Sequence, residues 1–240
     1  MAIYQKEDTS IYYEDSGEDL PAILLLAPGG MESSLTFWSG TPWDPREHLK
    51  GLFRVIAMDQ RNAGNSSGTV SSLDGWHTYT EDQIGLMDHL NINRFHVAGM
   101  CIGGPYCLGI IEAAPDRVAS ATLFQSIGLD RNRDAFYSMF DDWAKDLKPK
   151  MSNISAEVWL EFKKNMYGSD KVLFNVDEEF IRGCATPLLI LMGDDLYHPK
   201  STSLMLAETA KNATLIESWK EGTARDKSMK RCLEFLEKNV

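Results

Sequence analysis

The sequence has no long apolar run and no clustered cysteines. No stretch of its 240 residues approaches the roughly 18 consecutive apolar residues that a membrane-spanning helix needs. Residues 1–8 carry neither a basic start nor an apolar segment, so we expect no secretory signal peptide. The four cysteines are scattered, without the paired spacing of a zinc site or a redox motif. We therefore expect reduced thiols and a cytoplasmic protein.

Positive charge is also scarce. The sequence has 24 Lys and Arg against 35 Asp and Glu, which gives a formal net charge of −11 at pH 7. Such a surface repels polyanions and argues against binding to nucleic acid or to anionic membranes. The five histidines are dispersed, so the sequence indicates no metal site, and it implies no organic cofactor. We expect a small-molecule substrate as the partner, and the sequence is also compatible with a homodimer.

Short apolar runs alternate with helical patterns along most of the chain. Runs of strand length lie at 11–13, 21–27, 53–58, 95–98, 118–124, 187–192 and 213–217. Helical patterns lie at 78–90, 105–114, 201–209 and 224–238. This alternation predicts an α/β fold, with a mostly parallel central sheet and helices on both faces. Ligands of such sheets bind outside the carboxyl ends of the strands, where the glycine-rich turns of this sequence fall.

One segment interrupts the alternation. Residues 129–182 are helical in pattern and rich in aromatic side chains, which predicts a short helical cap. We expect a single domain in which this cap separates a first core part, 1–128, from a second, 183–240. The aromatic rings either pack the cap onto the sheet or also line an apolar substrate pocket. Candidates for that pocket are Phe140 and Trp143, together with His77.

A Gly-x-Cys-x-Gly turn at 99–103 stands between a strand pattern and a helix pattern. Strand, tight turn and helix form the context of a nucleophile elbow, which presents a reactive side chain at the end of a sheet. The free N–H groups and the dipole of the following helix stabilise negative charge there, and so favour a thiolate. Cys101 is therefore the candidate nucleophile, although a lone turn of this kind also fits a buried structural cysteine.

Two further turns extend the pattern. The segment 59–66 reads Asp-Gln-Arg-Asn-Ala-Gly-Asn-Ser, and Pro-Gly-Gly follows the first buried run at 28–30. With the elbow, these turns make the chain resemble the α/β-hydrolase superfamily from about residue 11 to its C-terminus. The first turn is similar to the superfamily's D-x-R-G-x-G-x-S turn, with Asn62 in place of a glycine. The second turn occupies the place of the oxyanion loop, and the resemblance implies an α/β-hydrolase fold.

The resemblance also implies roles for individual residues. The oxyanion hole would consist of the backbone N–H of Ile102 with that of Gly30 or Met31. The acid of the superfamily usually lies four residues before a proline, which favours Asp195 over its neighbour Asp194. Dienelactone hydrolases of this superfamily likewise carry a cysteine in the elbow, so a thiol nucleophile is consistent with the resemblance.

The base is where the sequence departs from the superfamily. The catalytic histidine of the superfamily lies just after the last strand, here near 218–222, and this sequence has no histidine after His198. His198 follows Asp195 by three residues and is the leading candidate. His77 and Lys220 are alternatives, and a site without a dedicated base is a further one.

Two functions follow from these patterns. The first is a hydrolase or acyl-transfer enzyme that acts on a small apolar ester, lactone or thioester through an acyl group on Cys101. The second is a non-hydrolytic or catalytically degenerate protein of the same fold, either a lyase-type enzyme or a ligand-binding protein. The missing late histidine motivates the second.

Overall fold

The computed structural model describes residues 2–240 and builds them around one eight-stranded sheet. Its strands are β1 (Ala2–Lys6), β2 (Thr9–Asp15), β3 (Ala22–Leu26), β4 (Arg54–Met58), β5 (Phe95–Met100), β6 (Val118–Phe124), β7 (Leu188–Leu191) and β8 (Ala213–Ile216). Their spatial order is β1-β2-β4-β3-β5-β6-β7-β8. Strand β2 is antiparallel to both of its neighbours, β1 and β4. The remaining strands, in the spatial order β4-β3-β5-β6-β7-β8, each pair in parallel with the next. The mostly parallel sheet predicted from the sequence is confirmed.

Helices cover the sheet. They are α1 (Pro45–His48), α2 (Trp76–His89), α3 (Gly103–Ala113), α4 (Arg133–Leu147), α5 (Ala156–Tyr167), α6 (Glu178–Gly183), α7 (Lys200–Thr209) and α8 (Gly222–Lys238). Short 3-10 turns occupy Gly30–Glu32, Leu35–Gly40, Pro115–Arg117 and Lys148–Met151. Within residues 2–240, no helix combines the length and the apolar character required to cross a lipid bilayer.

The sheet is buried on both faces, as its continuous apolar strands predict. In β3, Leu24 and Leu26 pack into the cluster formed with α2, α3 and the cap, while Ile23 and Leu25 pack into the cluster that includes α8. All four side chains are inaccessible to solvent. Because successive side chains of a strand point to opposite faces, both layers of helices draw their core from the same strands.

The first strand, β1, was not predicted from the sequence. Its residues are mostly exposed, and it pairs only with β2 at the edge of the sheet. It lacks the apolar run that marks the buried strands, because an edge strand at the surface has little apolar area to bury.

The segment expected to form the cap contains α4, α5 and α6, between β6 and β7. Phe140 and Trp143 on α4 are almost fully buried, with ring centroids 5.2 Å apart, and both rings contact Phe162 on α5. The indole Nε1 of Trp143 donates a hydrogen bond to the carbonyl oxygen of Asn62 at 3.1 Å. These aromatic residues therefore fasten the cap to the core. Their proposed part in a substrate pocket, like the three-part domain division, stays a prediction.

Candidate active site

Cys101 lies in the sharp turn between the end of β5 and the start of α3. Its φ angle of 62° is in the left-handed region, which a residue with a side chain adopts only where the surroundings enforce it. The surroundings here are the end of β6: the N–H of Cys101 donates to Phe124 at 3.0 Å, and its carbonyl accepts from Ile127 at 3.1 Å. The neighbouring strand thus holds the strained turn in place.

The glycines on either side of Cys101 allow strand and helix to meet closely. A Cβ added at Gly99 would lie 2.1 Å from the carbonyl oxygen of Gly103. A Cβ added at Gly103 would lie 2.3 Å from the carbonyl oxygen of Leu26 on β3. Both contacts are to backbone, which has little freedom to yield. The elbow geometry therefore requires glycine at these two positions.

Asp195 and His198 lie in the loop between β7 and α7. The Nδ1 atom of His198 is 2.8 Å from each carboxylate oxygen of Asp195. The same carboxylate accepts the backbone N–H groups of Tyr197 and His198 at 3.0 Å. The side chain of His198 is 11% exposed, whereas that of Asp195 is 50% exposed. The carboxylate thus fixes the ring orientation and leaves Nε2 as the atom that is free to exchange a proton.

His198 also interacts with Cys101. Burial alone raises the pKa of the Cys101 thiol, but hydrogen bonding and positive charge from His198, with the N–H groups of Gly29 and Ile102, outweigh it and lower that pKa. Burial alone lowers the pKa of His198, but Cys101 and Asp195 outweigh it and raise that pKa. Among the described residues, Nε2 makes no regularly aligned hydrogen bond. Such loose alignment is common before substrate binds.

The pKa shifts favour a thiolate–imidazolium pair. A lowered pKa on the thiol favours its thiolate form, and a raised pKa on the imidazole favours its protonated form. The pKa of Asp195 is lowered as well: burial opposes this, and the hydrogen bond and charge of His198 produce it. The pKa shifts of the three side chains thus favour the charged forms of the Cys101 thiol, the His198 imidazole and the Asp195 carboxyl.

Backbone N–H groups point at the thiol from two loops. Those of Ile102, after Cys101, and Gly29, after β3, act on the Cys101 sulfur. Gly30 and Met31 begin the 3-10 turn that follows Gly29, and the side chain of Met139 on α4 packs directly over Gly30. The sequence did not single out Gly29, and the expected contribution of Gly30 or Met31 to an oxyanion hole stays a prediction.

The alternative bases lie elsewhere. His77 is exposed at the start of α2, in a surface cleft of about 660 Å³ that it lines with Trp76 and Asn165 but not with Cys101. Lys220 forms an ion pair with Asp194. Neither His77 nor Lys220 contributes to the pKa shift of Cys101, to which His198 does contribute.

The turn that begins at Asp59 supports the loop after β3. The buried carboxylate of Asp59 accepts the N–H groups of Leu35 and Asn65, each at 2.8 Å. Asn62, which replaces a glycine of the superfamily pattern, has a φ of 61°. Its Oδ1 accepts the N–H of Gly68 at 2.8 Å. Asparagine tolerates this left-handed conformation better than most residues, which explains why the turn survives the substitution.

Known proteins resemble the chain over nearly its whole length. The protein named "Putative carbamate hydrolase RutD" from Caulobacter sp. (strain K31) is 28% identical over 244 residues, covering 87% of each chain. The enol-lactonase from Burkholderia xenovorans LB400 superposes with a TM-score of 0.71 at 21% identity, covering 98% of this chain and 100% of that one. The meta-cleavage product hydrolase CumD from Pseudomonas fluorescens IP01 gives 0.70 at 21% identity, covering 97% and 96%. At such identities the two structures show the fold alone.

Within residues 2–240, no cluster of three or more His, Cys, Asp or Glu side chains is arranged to hold a metal ion. The model of the α/β hydrolase fold family matches residues 22–172, a region that contains Cys101 and ends before Asp195 and His198. Since this match covers more than half of the chain, the protein belongs to the α/β hydrolase fold family.

Proposed function

We propose that the protein is a hydrolase or acyl-transfer enzyme that attacks a small apolar ester, lactone or thioester with the thiolate of Cys101. One observation carries this proposal. Asp195 holds Nδ1 of His198 at 2.8 Å, and the same imidazole lowers the pKa of the elbow thiol. A nucleophile beside a base that a third group orients is the arrangement that covalent catalysis requires.

In the first half-reaction, the sulfur of Cys101 forms a bond to the carbonyl carbon of the substrate. The carbonyl oxygen takes up the electron pair and is stabilised by backbone N–H groups at the oxyanion site, for which Ile102 and a glycine-loop N–H are the candidates. When the tetrahedral intermediate collapses, the bond from carbon to the leaving group breaks. The Nε2 atom of His198 gives its proton to the leaving oxygen or sulfur, and a thioester on Cys101 remains.

In the second half-reaction, the neutral imidazole accepts a proton from water as the water oxygen attacks the thioester carbon. The carbon–sulfur bond then breaks and the thiolate of Cys101 returns, with the proton on His198. An alcohol or thiol in place of water gives acyl transfer by the same steps. Asp195 stays ionised throughout and keeps the imidazole oriented for both proton transfers.

The relatives support the reaction class. The Caulobacter relative carries the name of a carbamate hydrolase, and the structures with the same fold include a lactonase and a meta-cleavage product hydrolase. Each of these names describes a hydrolytic enzyme. The cysteine nucleophile and the choice of ester, lactone or thioester rest on the residues of this chain.

The test is intact-protein mass spectrometry after brief exposure to activated acyl esters and thioesters. Wild type, Cys101→Ala and His198→Ala are compared, and peptide mapping locates any adduct. We expect a transient acyl adduct on Cys101 in the wild type, no adduct in Cys101→Ala, and a persistent adduct in His198→Ala. Turnover by Cys101→Ala at the wild-type rate would refute the proposal. Stoichiometric binding without adduct or product would favour the non-hydrolytic alternative.

A further inference from the structure

Three buried tyrosines converge between the sheet and the cap. Tyr79 lies on α2, Tyr106 on α3 and Tyr167 on α5, and none is more than 1% exposed. Among residues 2–240, no group makes a hydrogen bond to any of the three hydroxyls. A buried hydroxyl without a partner destabilises a fold, so three in one region indicate a use beyond packing.

The three side chains form one cluster. The rings of Tyr79 and Tyr106 are 5.2 Å apart between centroids. The ring of Trp76 connects Tyr167 to this pair, because its centroid lies 5.3 Å from that of Tyr106 and 6.1 Å from that of Tyr167. Helices from both the core and the cap therefore contribute to the same group of rings, which we call the tyrosine cluster (Tyr79, Tyr106 and Tyr167).

The tyrosine cluster is continuous with the candidate active site. Tyr167 stacks on Phe136 at 5.3 Å, Phe136 meets Tyr197 at 5.5 Å, and Tyr197 lies 6.5 Å from His198. The pKa values of two of the tyrosines also indicate that the cluster lies near Cys101. Burial chiefly raises the pKa values of Tyr106 and Tyr167 well above the ordinary value, and negative charge on Cys101 adds to the rise in both.

The hydroxyls of the cluster are neutral donors. Their raised pKa values keep them protonated at every physiological pH. The cation that acts on Tyr79 is Arg61, and its guanidinium is already bound to Asp82 at 2.7 Å. Asp82 itself raises the pKa of Tyr79 and Tyr106. The negative charges of Asp82 and Cys101 would repel a carboxylate bound at these hydroxyls. An uncharged acceptor avoids this repulsion and can still accept hydrogen bonds from the neutral O–H groups.

We propose that Tyr79, Tyr106 and Tyr167 form a binding subsite for an uncharged carbonyl oxygen carried on the acyl chain of the substrate. This inference rests on the proposed function, because it places the acyl group between Cys101 and the cluster. A ketone oxygen offers two lone pairs to donors that otherwise stay unpaired. The preferred substrate is thus an oxo-acyl ester, lactone or thioester rather than a plain hydrocarbon one.

The probes are p-nitrophenyl heptanoate and its 4-oxo, 5-oxo and 6-oxo derivatives, which differ only by a ketone in place of one methylene. The kcat/KM of each ester is measured with wild-type protein. Binding of the same esters to Cys101→Ala is measured by isothermal titration calorimetry, because this variant cannot form an acyl-enzyme. We expect at least one oxo ester to exceed heptanoate by about tenfold in both measurements, the effect of one or two well-made hydrogen bonds.

Variants then assign the preference to the hydroxyls. Tyr79→Phe, Tyr106→Phe and Tyr167→Phe each remove one oxygen and keep the ring. We expect each to lower the ratio of kcat/KM for the oxo ester to kcat/KM for heptanoate about threefold to tenfold, with no fall in Tm. Tyr12→Phe, on the partly exposed β2 and outside the cluster, is the matched control and retains the wild-type preference.

The two proposals fail in different ways. If the wild type forms no acyl adduct but Cys101→Ala still prefers an oxo ester through the tyrosines, the proposed function fails and the subsite stands. If adducts form but no oxo ester is preferred, the subsite is refuted. It is also refuted if the Phe variants keep the preference, or if their Tm falls by several degrees, which would show that the hydroxyls have structural partners.

Discussion

Lys220 and Asp194 form an ion pair that joins the loop after β8 to the loop after β7. The pair lies beside Asp195, and it places a lysine where the α/β-hydrolase superfamily usually has its catalytic histidine. The ammonium group of Lys220 is paired with Asp194, and it contributes nothing to the pKa shift of Cys101. The imidazole of His198, which the adjacent carboxylate orients, is available instead.

The reactivity of Cys101 should depend on His198. The lowered pKa of the thiol means that the rate of alkylation by iodoacetamide reaches half its maximum at a lower pH than for an ordinary cysteine thiol. In His198→Ala, burial remains while the stabilising hydrogen bond and charge are lost, so that midpoint moves above that of an ordinary thiol. The measurement is the pH dependence of the alkylation rate, with Cys101 identified by peptide mass.

Lys220→Ala is the matched control for this experiment and should retain the wild-type pH profile. The other cysteines should stay unmodified, because Cys107, Cys184 and Cys232 are buried and burial raises their pKa values, that of Cys232 to about 12. A profile unchanged in His198→Ala but shifted in Lys220→Ala would exclude His198 as the partner of the thiol.

Replacing Asp195 by asparagine should impair proton transfer. The variant lacks the negative charge that helps to raise the pKa of His198, and an amide does not fix the imidazole tautomer. We expect kcat/KM for an activated ester to fall about 100-fold or more in Asp195→Asn. Asp194→Asn changes the neighbouring carboxylate in the same way and should stay within about twofold of the wild type. Equal losses in both variants would contradict the role of Asp195.

The elbow glycine Gly99 should be essential for stability. In Gly99→Ala the new Cβ would meet the carbonyl oxygen of Gly103, so β5 and α3 must separate. We expect the free energy of unfolding in urea to fall by about 3 kcal/mol or more, the range of severe core substitutions. Gly183→Ala at the end of α6 meets nothing within 4 Å and should change stability by less than about 1 kcal/mol. Similar losses in the two variants would show that steric contact at the elbow is unimportant.

His96 should make the fold acid-sensitive. It is 1% exposed, its Nδ1 lies 2.8 Å from Ser120 Oγ, and burial, with a smaller effect of Arg94, lowers its pKa to about 4. The unfolded chain takes up the proton near pH 6.5, so the unfolded state binds more protons between about pH 6.5 and 4. The free energy of unfolding should therefore decline by about 3 kcal/mol as the pH falls through that window.

Urea unfolding at pH 7 and pH 4.5 measures this decline. His96→Gln cannot take up a proton, so it should lose less stability between the two pH values than the wild type. His77→Gln, which alters an exposed histidine, should behave as the wild type does. An identical decline in His96→Gln would assign the acid sensitivity to other groups.

The sequence patterns were sufficient to predict the strands that bury apolar residues. Strands such as β6 and β7 appear as short apolar runs because helices cover both of their faces. Strand β1 is exposed at the edge, so its polar sequence carries no such signal. Cys101, Asp195 and His198 could be proposed because they stand in turns after parallel strands, and the carboxyl ends of those strands share one edge of the sheet.

Other features depend on distances that a sequence does not contain. Gly29 reaches the thiol only through the path of the loop after β3. Tyr79, Tyr106 and Tyr167 lie on three helices, and their sequence positions are typical of ordinary core aromatics. The absence of partners for their hydroxyls among residues 2–240 becomes visible only when the helices are packed. Phe140 and Trp143 likewise show their contacts to Phe162 only in the folded cap.

The loop between β7 and α7 has a consequence for the design of related enzymes. It carries both the imidazole and the carboxylate that orients it, three residues apart and joined by side-chain and backbone hydrogen bonds. The proposed acid–base pair is therefore contained in a single loop. Grafted after the corresponding strand of another sheet with an elbow cysteine, this loop would bring the alignment of its imidazole with it, and the segment after β8 would not have to supply a histidine.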